Sequence, residues 1–329
     1  MLGFSIIDEQ IWLIILLRVF RIRVLGEIVE MGLSKKIIAL SFGVVSLLGF
    51  SLVQSATAEE RIVSIPVGDQ NMIATLETAS QENAPIAILL HGFTGTRDEL
   101  PVKETDEGVF SRMARLMAEQ GVSSLRIDFR GSGESDGKWE DTTFSSQIKD
   151  AVTAIAWIRA QDAFKGGKLA LIGWSQGGLV ASHAAAARSD VDSVVLMAPA
   201  TNPLVTFIGL FGKELVEKAM SSDPETPITA SLPWGVDTTL KARFYQELPI
   251  TSPLAAAAQY DGPLMVIMAQ KDALITPQPA IGEAWMRYHN GEEKLLVLDT
   301  DHVWSAFEGP KMIDEQVVPA ILEWFEEQL

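Results

Sequence analysis

The sequence has no cysteine among its 329 residues. This absence excludes disulfide bonds, thiolate zinc sites and cysteine nucleophiles. Histidine is scarce as well, and the four histidines show no close pairing at ligand spacing, so we expect no metal site. Basic residues are outnumbered, with 26 Lys and Arg against 43 Asp and Glu and a formal net charge of −17. A protein with this negative charge is not expected to bind nucleic acid.

The composition is that of an ordinary globular protein. Apolar residues make up 47% of the sequence and charged residues 21%, which is too apolar for disorder. No internal repeat or low-complexity tract interrupts it. Residues 59–329 are enough for one domain with a large buried core.

The N-terminal region resembles an export signal. Two lysines at 35 and 36 precede an uncharged apolar run over residues 37–53, and Ala56-Thr57-Ala58 forms a small-x-small cleavage site. We therefore expect a signal peptide over residues 31–58 and an exported, periplasmic or secreted protein with no stable membrane association after cleavage. A permanent membrane anchor through residues 37–53 is the alternative, although that run is at the short limit for spanning a bilayer.

Residues 1–30 precede this signal and contain a second apolar patch, from Ile11 to Leu17. Three arginines that follow it, at 18, 21 and 23, interrupt it before it can span a bilayer. We expect that translation begins at Met31 rather than at Met1. An amphipathic anchor in this first segment is the alternative.

Short aliphatic runs alternate with longer helical patterns beyond residue 85, which is typical of parallel strands joined by crossover helices. Two further runs, at 61–67 and 72–77, would add an antiparallel edge. The predicted core strands cover residues 86–90, 123–128, 169–172, 193–197, 264–268 and 295–298. The predicted helices cover residues 108–120, 144–159, 176–188 and 313–328.

No clear core strand is predicted between residues 201 and 259, although an amphipathic run extends from Val205 to Met220. A long insertion without its own strand in a compact domain is usually functional. We therefore predict a cap over the active site at about residues 201–260. The predicted fold class is α/β, with a mostly parallel central sheet flanked by helices and this inserted cap or lid.

The sequence KLALIGWSQGG, residues 168–178, combines a strand, a GxSxG motif and the start of an Ala-rich helix. This context is the one that a nucleophile elbow requires, because the serine must stand on a sharp turn between strand and helix. The small residues Gly173 and Gly177 allow the backbones to pass closely there. The predicted nucleophile is Ser175.

A serine hydroxyl needs a base, and four histidines are available. The sequence places His183 inside a helix, His289 at a helix end and His91 in a loop after a strand. His302 lies between the last predicted strand and the terminal helix, so its side chain can return to the carboxyl edge of the sheet. We predict His302 as the base.

Asp272 is the predicted carboxylate partner of this base. It follows a strand and lies between the nucleophile and the histidine along the chain. The order serine, carboxylate, histidine is typical of proteins that have this elbow motif. Asp299 and Asp301 are closer to His302 in sequence but are assigned to the loop that carries it.

A tetrahedral oxyanion needs N–H donors that already point at it. We predict the backbone N–H of Gln176, at the start of the helix, and that of Phe93, within HGFTG. Both act through the backbone, so their side chains are expected to be free to vary. The alternative is that His91-Gly92 is a plain turn, which leaves a single donor.

The chain resembles bacterial α/β-hydrolases of the cinnamoyl or feruloyl esterase type. The similar segments are LLHGFTG from Leu89, DFRGSGESDGKWED from Asp128, GWSQGG from Gly173, QELPI from Gln246, and the pair Asp272 and His302. The resemblance implies an α/β-hydrolase fold and a serine esterase that needs no cofactor. It also implies that the lid contacts an aromatic acyl group, which makes Trp234 and Asp237 candidate substrate-binding residues. The alternative for Trp234 is that it belongs to the core of the lid.

Two positions depart from that family. Trp174 stands where a histidine is frequent, and AQK precedes Asp272 where HG and one further residue are common. Neither position belongs to the predicted triad. The expected function is hydrolysis of a small-molecule carboxylic ester through an acyl-enzyme intermediate. A lipase or serine peptidase with the same triad, or a non-catalytic binding protein on the same scaffold, are the alternatives.

Overall fold

The computed structural model describes residues 59–81 and 83–329. The predicted signal peptide, the alternative anchor and the two candidate start residues lie outside these described residues. Within the described ranges, no helix is both long and apolar enough to cross a membrane.

Eight strands form the central sheet, in the order β1-β2-β4-β3-β5-β6-β9-β10. The first three lie at an antiparallel edge, where β2 pairs antiparallel with both β1 and β4, and the remaining pairs are parallel. The mostly parallel sheet is therefore confirmed. The strands are β1 (Glu59–Val67), β2 (Gln70–Thr78), β3 (Ile86–Leu90), β4 (Ser123–Ile127), β5 (Leu169–Trp174), β6 (Ser193–Met197), β7 (Pro227–Ser231), β8 (Asp237–Lys241), β9 (Leu264–Ala269) and β10 (Glu293–Leu298).

The central strands are buried on both faces. Every residue of β3 and β5 is buried, and alternate side chains belong to two separate cores: Ile88 packs on one face and Leu89 on the other. Strands that are covered on both faces have continuous aliphatic sequences. This explains why apolar and polar residues do not alternate along them.

Helices cover both faces of the sheet. Side chains of α1 and α9 contribute to one core, and those of α2, α3 and α8 contribute to the other. The predicted terminal helix begins with a short π-helical turn, Ile313–Val317, before its α-helical part. The helices are α1 (Val109–Glu119), α2 (Phe144–Arg159), α3 (Gln176–Ala186), α4 (Pro203–Phe211), α5 (Lys213–Met220), α6 (Ala242–Glu247), α7 (Pro253–Ala257), α8 (Ala280–Tyr288) and α9 (Val318–Gln328).

The inserted segment contains α4, α5, the antiparallel hairpin β7–β8 and α6. The predicted amphipathic run is two helices rather than one, because Gly212 adopts a φ of 84° and interrupts it. The hairpin does not join the central sheet. Helix α7 contacts α3, so the residues after about 252 lie with the flanking helices. We use the name cap for residues 203–247.

The cap hairpin is attached to the segment that follows β4. The indole N–H of Trp139 donates to the hydroxyl of Thr238 over 2.8 Å, and the amine of Lys241 lies 2.6 Å from the carboxylate of Asp141. Since ion pairs near the surface contribute little to stability, the tryptophan contact is the more important of the two.

The start of α3 passes very close to β3. A Cβ atom at Gly177 would overlap the backbone carbonyl oxygen of Leu90, so only glycine fits there. The first turn of α3 can therefore begin directly at the edge of the sheet.

We expect Gly177→Ala to destabilise the protein by about 3 kcal/mol, because backbone atoms of two elements must separate. Chemical denaturation measures the free energy of unfolding. Gly166→Ala is the matched control, since a Cβ at 166 meets nothing within 4 Å. Equal stability of the two variants would contradict this prediction.

Candidate active site

Ser175 lies on a sharp turn between β5 and α3. Its backbone has φ 56° and ψ −116°, a left-handed conformation that a residue other than glycine rarely adopts. The turn is held by the N–H of Ser175, which donates to the carbonyl of Met197 at the end of β6 over 2.8 Å. The hydroxyl is thereby fixed at the carboxyl edge of the parallel strands.

The structure brings Ser175, His302 and Asp272 together, although they lie far apart along the chain. The His302 Nε2 atom is 3.1 Å from the Ser175 hydroxyl, and its Nδ1 atom is 2.6 Å from Asp272 Oδ2. A histidine whose Nδ1–H donates to a carboxylate presents an unprotonated Nε2 to the hydroxyl. The arrangement can therefore accept a proton from the serine.

Asp272 is buried and accepts further hydrogen bonds through its other oxygen. The backbone N–H groups of Leu274 and Ile275 donate to Asp272 Oδ1 over 2.7 and 2.9 Å. These bonds fix the carboxylate in the orientation that faces the imidazole. Asp301 instead accepts the N–H of Ser305, and Asp299 pairs with Lys271, so both belong to neighbouring loop structure.

Phe93 and Gln176 line the same cavity as Ser175. Among the residues that the structure describes, neither N–H donates to an acceptor. The Phe93 N–H lies in a turn closed by the Gly95 N–H, which donates to the carbonyl of Gly92 over 3.1 Å. Both groups are thus available as donors to a bound ligand.

The side chain of Phe93 is engaged in an aromatic cluster with the cap, so the expectation that it is free to vary does not fit the structure. Its ring centroid lies 5.1 Å from that of Phe207, 5.9 Å from that of Phe211 and 6.0 Å from that of Phe244. The ring of Trp139 is 5.3 Å away on the other side. The loop that carries the Phe93 N–H is therefore packed directly against the cap.

Two site residues were missed by sequence reasoning. Trp174 donates its indole N–H to the carbonyl of His302 over 3.1 Å and so fixes the loop that carries the imidazole. Glu99 borders the cavity and accepts a hydrogen bond from the N–H of Gly92. No motif in the sequence marks either role, because both depend on which loops meet in the fold.

Of the other histidines, His91 and His289 have hydrogen-bond partners that explain their positions, whereas the buried Nε2 of His183 has none among the described residues. His91 is fully buried: its Nδ1–H donates to the carbonyl of Gly92 over 2.9 Å, and its Nε2 accepts the N–H of Phe129 over 3.2 Å. Burial lowers the pKa of His91 to about 4. His289 bonds to the carbonyl of Gly262, and burial lowers the pKa of His183 on α3.

The cavity over Ser175 has a volume of about 280 Å³ and a mainly apolar wall. Trp234, half exposed at the tip of the cap hairpin, borders it. Asp237 does not border it; its carboxylate accepts a hydrogen bond from the hydroxyl of Ser231, its partner in the strand pair next to the hairpin turn. The apolar lining consists of Phe93, Leu100, Trp174, Phe207, Leu210, Trp234, Leu274, Ile275, Val303 and Phe307.

Over residues 59–81 and 83–329, no group of three or more His, Asp or Glu side chains is arranged to hold a metal ion. The polar groups at the cavity include the hydroxyl of Ser175, the imidazole of His302 and the carboxylate of Glu99, and Asp272 lies behind the imidazole. Such a set can transfer an acyl group from an ester to water.

Comparison with known proteins identifies the fold and several relatives. A family model described as the alpha/beta hydrolase fold matches residues 85–244. An uncharacterized 31.7 kDa protein of Escherichia coli, from the traX-finO intergenic region, is 24% identical over 276 residues, covering 74% of this chain and 91% of that protein. Esterase EstD of Thermotoga maritima is 22% identical over 262 residues, covering 73% of this chain and 61% of EstD.

A solved structure of Est1E from Butyrivibrio proteoclasticus, with bound ferulic acid, matches with a TM-score of 0.65 at 24% sequence identity. The match covers 81% of this chain and 98% of Est1E. The chain therefore has the α/β-hydrolase fold that the sequence predicted, and its structure is similar to that of Est1E. The fold and these relatives together indicate a hydrolase.

The buried His91 generates a prediction about stability and pH. Its pKa is about 4 in the folded protein, below the ordinary value of 6.5, so the unfolded chain binds a proton that the folded protein does not. Stability should therefore fall as the pH decreases from about 6.5 to about 4.

The variant His91→Gln keeps an acceptor for the Phe129 N–H but cannot titrate. We expect its free energy of unfolding, measured by denaturant titration, to depend on pH less steeply than that of the wild type over this interval. Parallel curves for the two proteins would show that His91 does not titrate as described.

Proposed function

We propose that the protein is a serine esterase in which Ser175 is the nucleophile, His302 the general base and Asp272 the residue that orients the base. The observation that carries this proposal is the chain of two hydrogen bonds, 3.1 Å from the serine hydroxyl to the imidazole and 2.6 Å from the imidazole to the carboxylate. Serine, base and orienting carboxylate in this geometry are the parts needed for acyl transfer.

In the first half-reaction, the Ser175 oxygen attacks the ester carbonyl while its proton moves to His302 Nε2. The carbonyl oxygen becomes an oxyanion that the N–H groups of Phe93 and Gln176 stabilise. Collapse of this intermediate breaks the ester C–O bond, and His302 returns the proton to the leaving alcohol. An acyl group then remains on Ser175.

In the second half-reaction, His302 removes a proton from water, which attacks the acyl carbon. A second oxyanion forms at the same N–H donors, the bond to the Ser175 oxygen breaks, and His302 gives its proton back to the serine. The products are a carboxylic acid and the free enzyme. Since the protein carries a net charge of −17, its field favours release of the carboxylate.

We propose that the substrates are esters of small acids, including aromatic acids of the cinnamoyl type. The cavity volume of about 280 Å³ is close to the lower end of ligand pockets, roughly 300–1,000 Å³, which favours compact acyl groups over triglycerides. Its walls carry several aromatic side chains, among them Phe93, Phe207 and Trp234. The likeness to a structure with bound ferulic acid supports the same assignment.

Replacement of Ser175 by Ala should lower kcat by at least about 10⁴-fold, since removing the nucleophile of such a triad leaves only binding and oxyanion stabilisation. Turnover of p-nitrophenyl acetate, methyl ferulate, a long-chain triglyceride and an amino-acid anilide is measured for the wild type and the variant.

Ser145→Ala is the control, because Ser145 is exposed at the start of α2 and should keep wild-type rates. Wild-type ester hydrolysis in the Ser175→Ala protein would refute the proposal. A wild-type preference for the triglyceride or the anilide would instead favour a lipase or a peptidase.

Trp234 provides a test of the acyl site. Trp234→Ala should raise KM for methyl ferulate several-fold and leave KM for p-nitrophenyl acetate nearly unchanged, because only the larger acyl group reaches the cap. Tyr288→Ala is the control, since Tyr288 is a similarly exposed aromatic residue outside the cavity. An equal change for both substrates would argue against a contact with the aromatic ring.

A further inference from the structure

Glu99 is a carboxylate at the active-site cavity that the proposed mechanism does not use. One of its oxygens accepts a hydrogen bond from the backbone N–H of Gly92. Among the described residues, no Lys, Arg or His side chain forms an ion pair with it. Its hydrogen-bond donor is therefore a backbone group of the loop that follows β3.

The carboxylate lies against the turn that presents the Phe93 N–H. A Cβ atom placed on Gly95 would come within 2.7 Å of Glu99 Oε1, and one placed on Gly92 would come within 3.5 Å of Ser175 Cβ. The turn spans these two glycines, with Phe93 and Thr94 between them and Thr94 at a φ of 61°. Glu99 thus lies between the turn and the rest of its loop, a short distance from the nucleophile.

We propose that Glu99 is a positioning residue for oxyanion stabilisation: by binding the Gly92 N–H it fixes the turn that aims the Phe93 N–H at the developing oxyanion. This inference rests on the proposed serine esterase function. It adds a role that neither the GxSxG motif nor the triad requires. Glu99 itself does not touch the reacting atoms.

The ionised form is the one that suits this role. A carboxylate offers acceptors on both oxygens, whereas a protonated acid or an amide turns one of its two polar atoms into a donor. The hydrogen bond from the Gly92 N–H is charge-assisted only while Glu99 is ionised, and bonds of that kind are roughly twice as strong as neutral ones. Protonation of Glu99 should therefore loosen the turn.

Burial raises the pKa of Glu99 to about 7, so this ionisation falls in the working range of a histidine base. The charged groups nearest along its loop have partners elsewhere: Arg97 pairs with Asp128 and Glu134, and Asp98 with Arg126. The imidazole of His91 bonds to backbone groups on both sides, and His302 shares the cavity. Activity should therefore rise with pH as Glu99 ionises.

The raised pKa also indicates that ionised Glu99 does not stabilise the folded protein. The folded protein holds the Glu99 proton more tightly than the unfolded chain does, so ionisation lowers stability as the pH rises from 4.5 to about 7. A group retained only for stability would show the opposite sign. Sites that hold a costly charge are typical of functional rather than structural positions.

The test uses the full-length protein with p-nitrophenyl acetate. Glu99→Gln should lower kcat at pH 8 by about tenfold, less than the loss of a whole oxyanion donor, with KM changed by less than a factor of about two. As the pH falls through about 7, where Glu99 takes up its proton, kcat/KM of the wild type should lose about tenfold in a step that the Glu99→Gln variant lacks. The Tm at pH 8 should be unchanged or higher.

Glu104→Gln is the matched control, because Glu104 is exposed in a nearby part of the chain and lies 4.0 Å from Lys103. It should retain wild-type kcat and the wild-type step in the pH profile. Glu99→Asp keeps the charge but draws it back from Gly92, so it should lose kcat while still showing a step in the pH profile.

Wild-type kcat and an unchanged pH profile in Glu99→Gln would overturn the proposal, and so would a loss of activity that only follows a lowered Tm. These results are distinct from a failure of the esterase function itself. In that case the wild type does not hydrolyse the ester, or the Ser175→Ala protein hydrolyses it equally well.

Discussion

The turn at Ser175 is the constraint on which the rest of the site depends. A strand and a helix meet there with almost no connecting chain, which forces a φ of 56° on a serine and leaves no room for a side chain at Gly177. Backbone strain of this kind persists only where the surrounding structure over-determines it. Two packed cores and the hydrogen bond to Met197 provide that surrounding structure.

Everything else in the site is arranged around that fixed hydroxyl. His302 and Asp272 come from loops after neighbouring strands. Backbone hydrogen bonds to Asp272 and the indole N–H of Trp174 fix the positions of these two loops. On the other side, the loop after β3 brings Phe93 and Glu99 to the cavity. The Phe93 ring continues into the cap, so the cap and the N–H donors form one packed unit.

Much of this architecture could be predicted from local sequence. The buried strands appear in the sequence as aliphatic runs, and the GxSxG motif marks Ser175. The local surroundings of the other three histidines left His302 as the base. Each of these signals depends on a few adjacent residues. The break at Gly212, the cap hairpin, the packing of Phe93 and the roles of Trp174 and Glu99 could not be read in the same way. Their meaning arises only when segments distant in sequence come into contact.

The central claim is that one particular serine forms a covalent intermediate. Its most direct test is reaction of the purified protein with a fluorophosphonate, followed by digestion and mass spectrometry of the peptides. The account predicts a single adduct on Ser175, complete at one equivalent per chain. An unreactive protein, or an adduct on another residue while Ser175 remains free, would contradict it.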